Sequence, residues 1–227
     1  MKKYLFPSLL FVVCVGIALP VISSETTAPS GKSLDEAIKT ELQQEKERKP
    51  QATCPISGKP VSGKDSATYL GYEIKTCCPN CVGTVKKDPL SAIQALRQKG
   101  EEPVLAANLK PQTVCPISGK PVKAEQFAIK NNMLVQFCCP NCPAAFQKDP
   151  KGAVQKMLDK GIAPFLLTFE QKECPVTHEP VSGNSSVVHD GKVIQLCCDA
   201  CKAQVLENPE KVIQDLADQG IVLAHEK

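Results

Sequence analysis

The chain has 227 residues, and its 27 Lys and Arg against 24 Asp and Glu give a formal net charge of +3, with Lys2 and Lys3 supplying two of those charges. Trp is absent, aromatics make up 4%, and no basic patch is interleaved with aromatics, which excludes nucleic acid as the expected partner.

Residues 1–24 read as a signal peptide. A short positive start, Met1-Lys2-Lys3, precedes an apolar run from Tyr4 to Ile22, and Ser23-Ser24 offer the cleavage point. The run contains Pro7 and Pro20 and falls short of the ~20 clean apolar residues that a membrane span needs. Cys14 follows Val13, not a small residue, so lipid attachment is disfavoured. The expected location is periplasmic or secreted, with no membrane span after cleavage.

Residues 25–50 combine a Ser/Thr/Pro/Gly tether with an amphipathic helix. Ser33-Leu34-Asp35-Glu36 matches a capping box, with Ser33 at the N-cap. Leu34, Ile38 and Leu42 then recur at helical spacing, which predicts a helix over about 34–48 that Pro50 ends. The charged run Glu45–Lys49 reads as a solvated face.

The rest is a threefold repeat. Segments 54–100, 115–161 and 174–220 align without a gap, and the units are assigned to residues 51–108, 112–168 and 171–224. Linkers 101–113 and 162–173 are expected to pack on a neighbouring unit. Each repeat carries Cys at the spacing C-x22-C-C-x2-C: Cys54, Cys77, Cys78, Cys81; Cys115, Cys138, Cys139, Cys142; and Cys174, Cys197, Cys198, Cys201. These are 12 of the 13 cysteines. A unit of this size buries little apolar surface, so each repeat is expected to fold alone only when stapled by metal or disulfide.

Local signals agree in all three copies. Cys-Pro-Ile-Ser-Gly-Lys-Pro-Val opens repeats one and two, and Cys174-Pro175-Val176-Thr177-His178-Glu179-Pro180-Val181 opens the third, each predicting a tight knuckle. A hairpin follows, with its turn at Leu70-Gly71, Asn131-Asn132 or Asp190-Gly191 and its second strand at Tyr72–Thr76, Met133–Phe137 or Lys192–Leu196. A helix is expected to begin near Pro79, Asn141 and Asp199. Asp88-Pro89, Asp149-Pro150 and Asn208-Pro209 start a second helix, and Gly100, Gly161 and Gly220 stop it. The fold class is therefore α+β, with three tandem modules of knuckle, hairpin and two short helices.

Cys77 and Cys81 stand four apart at a strand-to-helix junction, and Cys54 returns across the hairpin, so three or four sulfurs can converge. Thiolates gathered in this way suit a soft metal, Cu(I) or Zn(II), about one per repeat. Three sulfurs favour Cu(I) and four favour Zn(II). Cys77, not Cys78, is the expected companion of Cys54 and Cys81. Two other uses of the cysteines stay open. One is structural disulfides, as exported proteins carry. The other is thiol redox chemistry at Cys78-Pro79-Asn80-Cys81 and Cys139-Pro140-Asn141-Cys142.

These features resemble the TRASH and YHS-like metal-binding modules, a treble-clef-related group tied to heavy-metal transport, resistance and sensing. The resemblance rests on Cys54-x22-Cys77-x3-Cys81 and its two copies, on the C-P-x-S-G-K-P-V opening and on the trailing Asp-Pro helix. It covers most of residues 54–220. It implies Cys54, Cys77 and Cys81, and the matching trios, as ligands. Ser57, Ser118 and Thr177 stand where related treble clefs often have a second knuckle cysteine, so the fourth ligand is Cys78 or its equivalent, water or nothing. In repeat three His178 is a further candidate. His189 is expected to be exposed and His225 lies in the tail. No Ser/His/Asp set, phosphate loop or paired carboxylates stand out, so a binding protein is expected and not an enzyme. Its partners are metal ions and a metal transporter or another exported protein; the alternative is a set of stapled protein-interaction modules.

Overall fold

The computed structural model describes residues 31–226. The signal-peptide assignment, Cys14 and the start of the tether lie outside the described residues. The chain is mixed α/β, with seven α-helices and several small sheets among the described residues. No helix of the described residues is long and apolar enough to cross a membrane.

Helix α1 spans Gly31–Glu47. The described helix already runs at Gly31, so Ser33 lies inside it and not at the N-cap. The charged run is solvated at Lys46, Glu47 and Lys49 but not at Arg48. Arg48 is almost buried, within 2.9 Å of Glu41 and 3.2 Å of Glu102. The cause is the placement of α1: Ile38 packs against Leu134 and Leu167, with Leu34 and Leu42 beside it, so the helix lies on repeat two and on the segment after it.

Each repeat is built to one plan. In repeat one, strands Asp65–Tyr69 and Tyr72–Thr76 pair antiparallel in strict register. Helices α2 (Pro79–Lys87) and α3 (Pro89–Gln98) follow. Repeat two has strands Lys123–Lys130 and Met133–Phe137, with a bulge between Lys123 and Phe127, then α4 (Asn141–Lys148) and α5 (Pro150–Asp159). Repeat three has strands Ser185–His189 and Lys192–Leu196, then a 3-10 turn at Asp199–Cys201 in place of the expected first helical turn, then α6 (Lys202–Glu207) and α7 (Pro209–Ala217).

The caps work as the residue types dictate. The side chains of Asp88, Asp149 and Asn208 accept hydrogen bonds from the amides of Ser91, Gly152 and Lys211, each with proline next in the chain. All six turn residues have positive φ, including Leu70 at +47°, which lacks the usual glycine or asparagine.

The segments read as linkers belong to the repeats. Val104–Leu105, Phe165–Leu166 and Ala224–His225 each add a third strand to their own hairpin. Glu101–Glu102, Ile162–Ala163 and Ile221–Val222 pair parallel with Lys49–Pro50, Lys110–Pro111 and Phe169–Glu170. These short pairs are invisible to periodicity because two residues carry no period.

Successive repeats meet by one rule: the hairpin turn of one docks on the second helix of the next. Gly71 lies against Leu109, Leu158 and Ala163, so closely that a Cβ there would collide with Leu109. Buried Asn132 receives the same treatment from repeat three. Its amide donates to the Ala217 carbonyl at 2.8 Å, and its side chain donates to the Ile221 carbonyl there and to the Leu167 carbonyl of its own repeat. The third turn, Asp190-Gly191, is exposed. The first two repeats share their interior. Ile74, Val85, Ile93 and Leu96 form one continuous core with Val135, Phe137, Phe146 and Met157. Repeat three keeps a separate core around Ile194, Leu196 and Val205.

Candidate metal centre

The knuckle is closed by backbone bonds from both sides. The Cys54 amide donates to the Lys59 carbonyl at 2.7 Å, and the Gly58 amide donates back to the Cys54 carbonyl at 2.9 Å. Cys115 with Lys120 and Gly119, and Cys174 with Glu179 and His178, repeat the pattern. The turn needs left-handed backbone, with φ +71° at Gly58, +72° at Gly119 and +60° at His178. A side chain at such a position costs roughly 1–2 kcal/mol, so His178 holds a strained place that glycine fills freely.

A glutamine fastens each knuckle to the second strand. The Gln51 side chain donates to the carbonyls of Thr53 and Lys75 and accepts from the Lys75 amide. Gln112 does the same with Val114 and Gln136, and Gln171 with Glu173 and Gln195. Sequence reading missed these three residues. Each stands three positions before the first cysteine, so extending the repeat alignment upstream would have found them.

The strand delivers the second cysteine and the following turn the last. Three groups of sulfurs result, each with all members within 4.8 Å of one another: Cys54, Cys77, Cys81; Cys115, Cys138, Cys142; and Cys174, Cys197, Cys201. The outer two of each group are buried and the middle one is half-buried. The sulfur–sulfur distances are 3.8 Å for Cys77–Cys81, 3.9 Å for Cys138–Cys142 and 3.6 Å for Cys197–Cys201. A Zn–S bond of about 2.3 Å sets a spacing of about 3.8 Å in a tetrahedron and about 4.0 Å in a trigonal plane. The groups therefore fit one soft ion each.

Cys78, Cys139 and Cys198 stand outside these groups but touch them. Their sulfurs lie 3.5, 3.4 and 3.9 Å from Cys81, Cys142 and Cys201. No two described cysteines stand at disulfide distance, and all twelve are free thiols. The hydroxyls of Ser57, Ser118 and Thr177 sit 3.2, 3.0 and 3.3 Å from the sulfurs of Cys77, Cys138 and Cys197, so the knuckle oxygen acts as a hydrogen-bond partner of the middle sulfur. None of the three histidines joins a sulfur group. His178 is exposed, His189 is half-buried and not exposed as expected, and His225 reaches Asp88 at 2.7 Å.

The thiols of one group are driven apart in acidity. Burial pushes Cys54 up, but the amide and hydroxyl of Ser57 and the amides of Cys77 and Ile56 outweigh it and bring the thiol from 9.0 down to about 6. Burial is likewise outweighed at Cys115 by Ser118 and the amides of Cys138 and Ile117, giving about 6, and at Cys174 by the amides of Cys197, Thr177 and Val176, giving about 7. The neighbouring Cys78 thiol and burial hold Cys81 up at about 12; burial and the other three thiols hold Cys201 at about 12 and push Cys142 up too. Each site thus presents a thiolate beside a thiol, a proton held where an ion can replace it.

A pH dependence follows for the reduced, metal-free protein. Between about 6 and 9.0 the folded chain carries Cys54 as thiolate while the unfolded chain keeps that proton, so stability rises with pH. Above 9.0 the sign reverses, because folded Cys81 retains a proton that the unfolded chain loses. Urea unfolding in chelator and reductant, from about pH 5 to about pH 11, should show a stability maximum near 9.0. A steady fall across the lower window would contradict the assignment of the low-lying thiols.

Comparison with protein-family models, curated proteins and solved structures finds no match for this chain.

Proposed function

We propose that the protein is an exported, soluble metal-binding protein of TRASH/YHS type, holding about one soft ion in each of three repeats for metal handling or resistance. The observation that carries this reading is the same trio of sulfurs gathered three times within 4.8 Å. The three-sulfur set favours Cu(I) over Zn(II). The treble-clef-like plan, the opening motif and the positive start with its apolar run support the family resemblance and export. A site that only stapled the fold would seal its sulfurs. Here Cys77, Cys138 and Cys197 are half-buried and Cys198 is exposed, which favours an ion that a transporter or another exported protein can reach.

Native mass spectrometry of the mature, reduced protein loaded with Cu(I) or with Zn(II) tests this. Three ions per chain and no disulfide are expected. Six disulfides and no metal in protein taken from its own compartment would replace this reading with the stapled-module one.

A further inference from the structure

The three sites share one geometry and differ in charge. Segments 54–100 and 115–161 each hold seven Lys and Arg against three Asp and Glu, whereas 174–220 holds three against seven. The difference reaches the knuckle itself. The residue whose carbonyl closes it on the first cysteine amide is Lys59 or Lys120 in the first two repeats and Glu179 in the third, all exposed. The Lys99 ammonium stands 3.9 Å from where a Gly58 Cβ would lie; Lys160 matches it in repeat two, and neutral Gln219 in repeat three. Across the site, Asp199 follows Cys198 where Pro79 and Pro140 follow Cys78 and Cys139.

The framework differs in the same sense. Repeats one and two share a core, and repeat three has a separate core, joined to repeat two by the polar seam at Asn131-Asn132. Its knuckle carries His178 at φ +60° in place of glycine. Its last cysteine ends a 3-10 turn that Cys198 precedes, and Cys198 is exposed where Cys78 and Cys139 are half-buried.

Charge around a loaded site acts in two ways. Cu(I) displaces the remaining thiol protons and leaves three thiolates around one cation, a centre of net charge −2. Nearby lysines stabilise that centre and nearby carboxylates destabilise it. Carboxylates also concentrate the free cation and speed its capture.

We infer that the third repeat is the exchange site of the array, taking up and giving off Cu(I) readily, while the first two repeats retain it. This rests on the proposed soft-metal function. It is tested on the full reduced chain by supplying Cu(I) in steps against a competing chelator, alkylating the free thiols and mapping them by mass spectrometry relative to the metal-free chain. Cys54, Cys77, Cys81 and Cys115, Cys138, Cys142 are expected to be protected first. Cys174, Cys197, Cys201 should need about tenfold or more free Cu(I). Added salt, or Glu179→Lys with Asp199→Asn, should narrow the gap. Equal protection of the three sets, or protection of the third set first, overturns the inference and leaves Cu(I) binding intact. No protection of any set overturns both.

Discussion

Cys77→Ser is expected to remove one of the three ions from the full chain, while Cys78→Ser keeps all three. Cys77 belongs to the group whose sulfurs all approach one another, and Cys78 touches only its edge. Replacing residues that merely orient a ligand costs 10–100-fold in affinity, so losing a ligand should cost at least about a hundredfold, against less than about tenfold for the touching thiol. Competition with a chromophoric chelator gives both numbers, and native mass spectrometry gives the count. The opposite ranking would mean that Cys78-Pro79-Asn80-Cys81 holds the ion and that Cys77 only ends the strand.

Arg97→Ala should be the most damaging change away from the cysteines. The Arg97 side chain is 3% exposed, forks onto Glu102, stands 3.3 Å from Glu41 of α1 and donates to the Leu166 carbonyl and the Thr168 hydroxyl. Its guanidinium also lies 5.2 Å from the Phe165 ring centre. One side chain thereby joins α1, repeat one and the end of repeat two. Removing it leaves two nearly buried carboxylates with Arg48 as the cation still beside them, which costs up to about 3–5 kcal/mol. Arg97→Lys should recover little, since an ammonium cannot make the planar fork. Chemical denaturation gives the magnitude, and amide exchange should show α1 opening first. A loss under about 1 kcal/mol would show that water reaches the carboxylates and satisfies them.

Much of the site could be read from spacing, because the knuckle, hairpin and helix starts are set by residues with narrow backbone preferences. Gly58, Asn131-Asn132 and Asp88-Pro89 each state their local geometry. Leu70 does not: its turn is recognisable only by alignment with its two counterparts, since leucine seldom takes positive φ. What escaped was set by tertiary contact. Arg48 reads as part of a solvated charged run, Arg97 carries no signal of its own, and nothing local says that Glu41 and Glu102 converge on them. The merging of the first two cores also lies beyond local pattern, because an apolar face does not say which neighbour will cover it. The glutamine clasp was missed for a simpler reason: the residue-by-residue alignment began at the first cysteine, although the assigned units begin at the glutamines themselves.

The docking of each hairpin turn on the following unit gives the array a fixed reading order. Leu70-Gly71 is an apolar tip shaped to Leu109 and Leu158, and Asn131-Asn132 is a polar tip matched to Ala217, Asp218 and Gln214. The units are alike in plan but not interchangeable in sequence. A recombinant chain with the repeats in the order one, three, two would keep every cysteine and lose both seams, with the Leu70 tip pressed on Asp218 at one and the Asp190 tip on Leu158 at the other. A duplication can multiply such a unit, but each new copy must then be retuned to the neighbour it follows before the chain holds together.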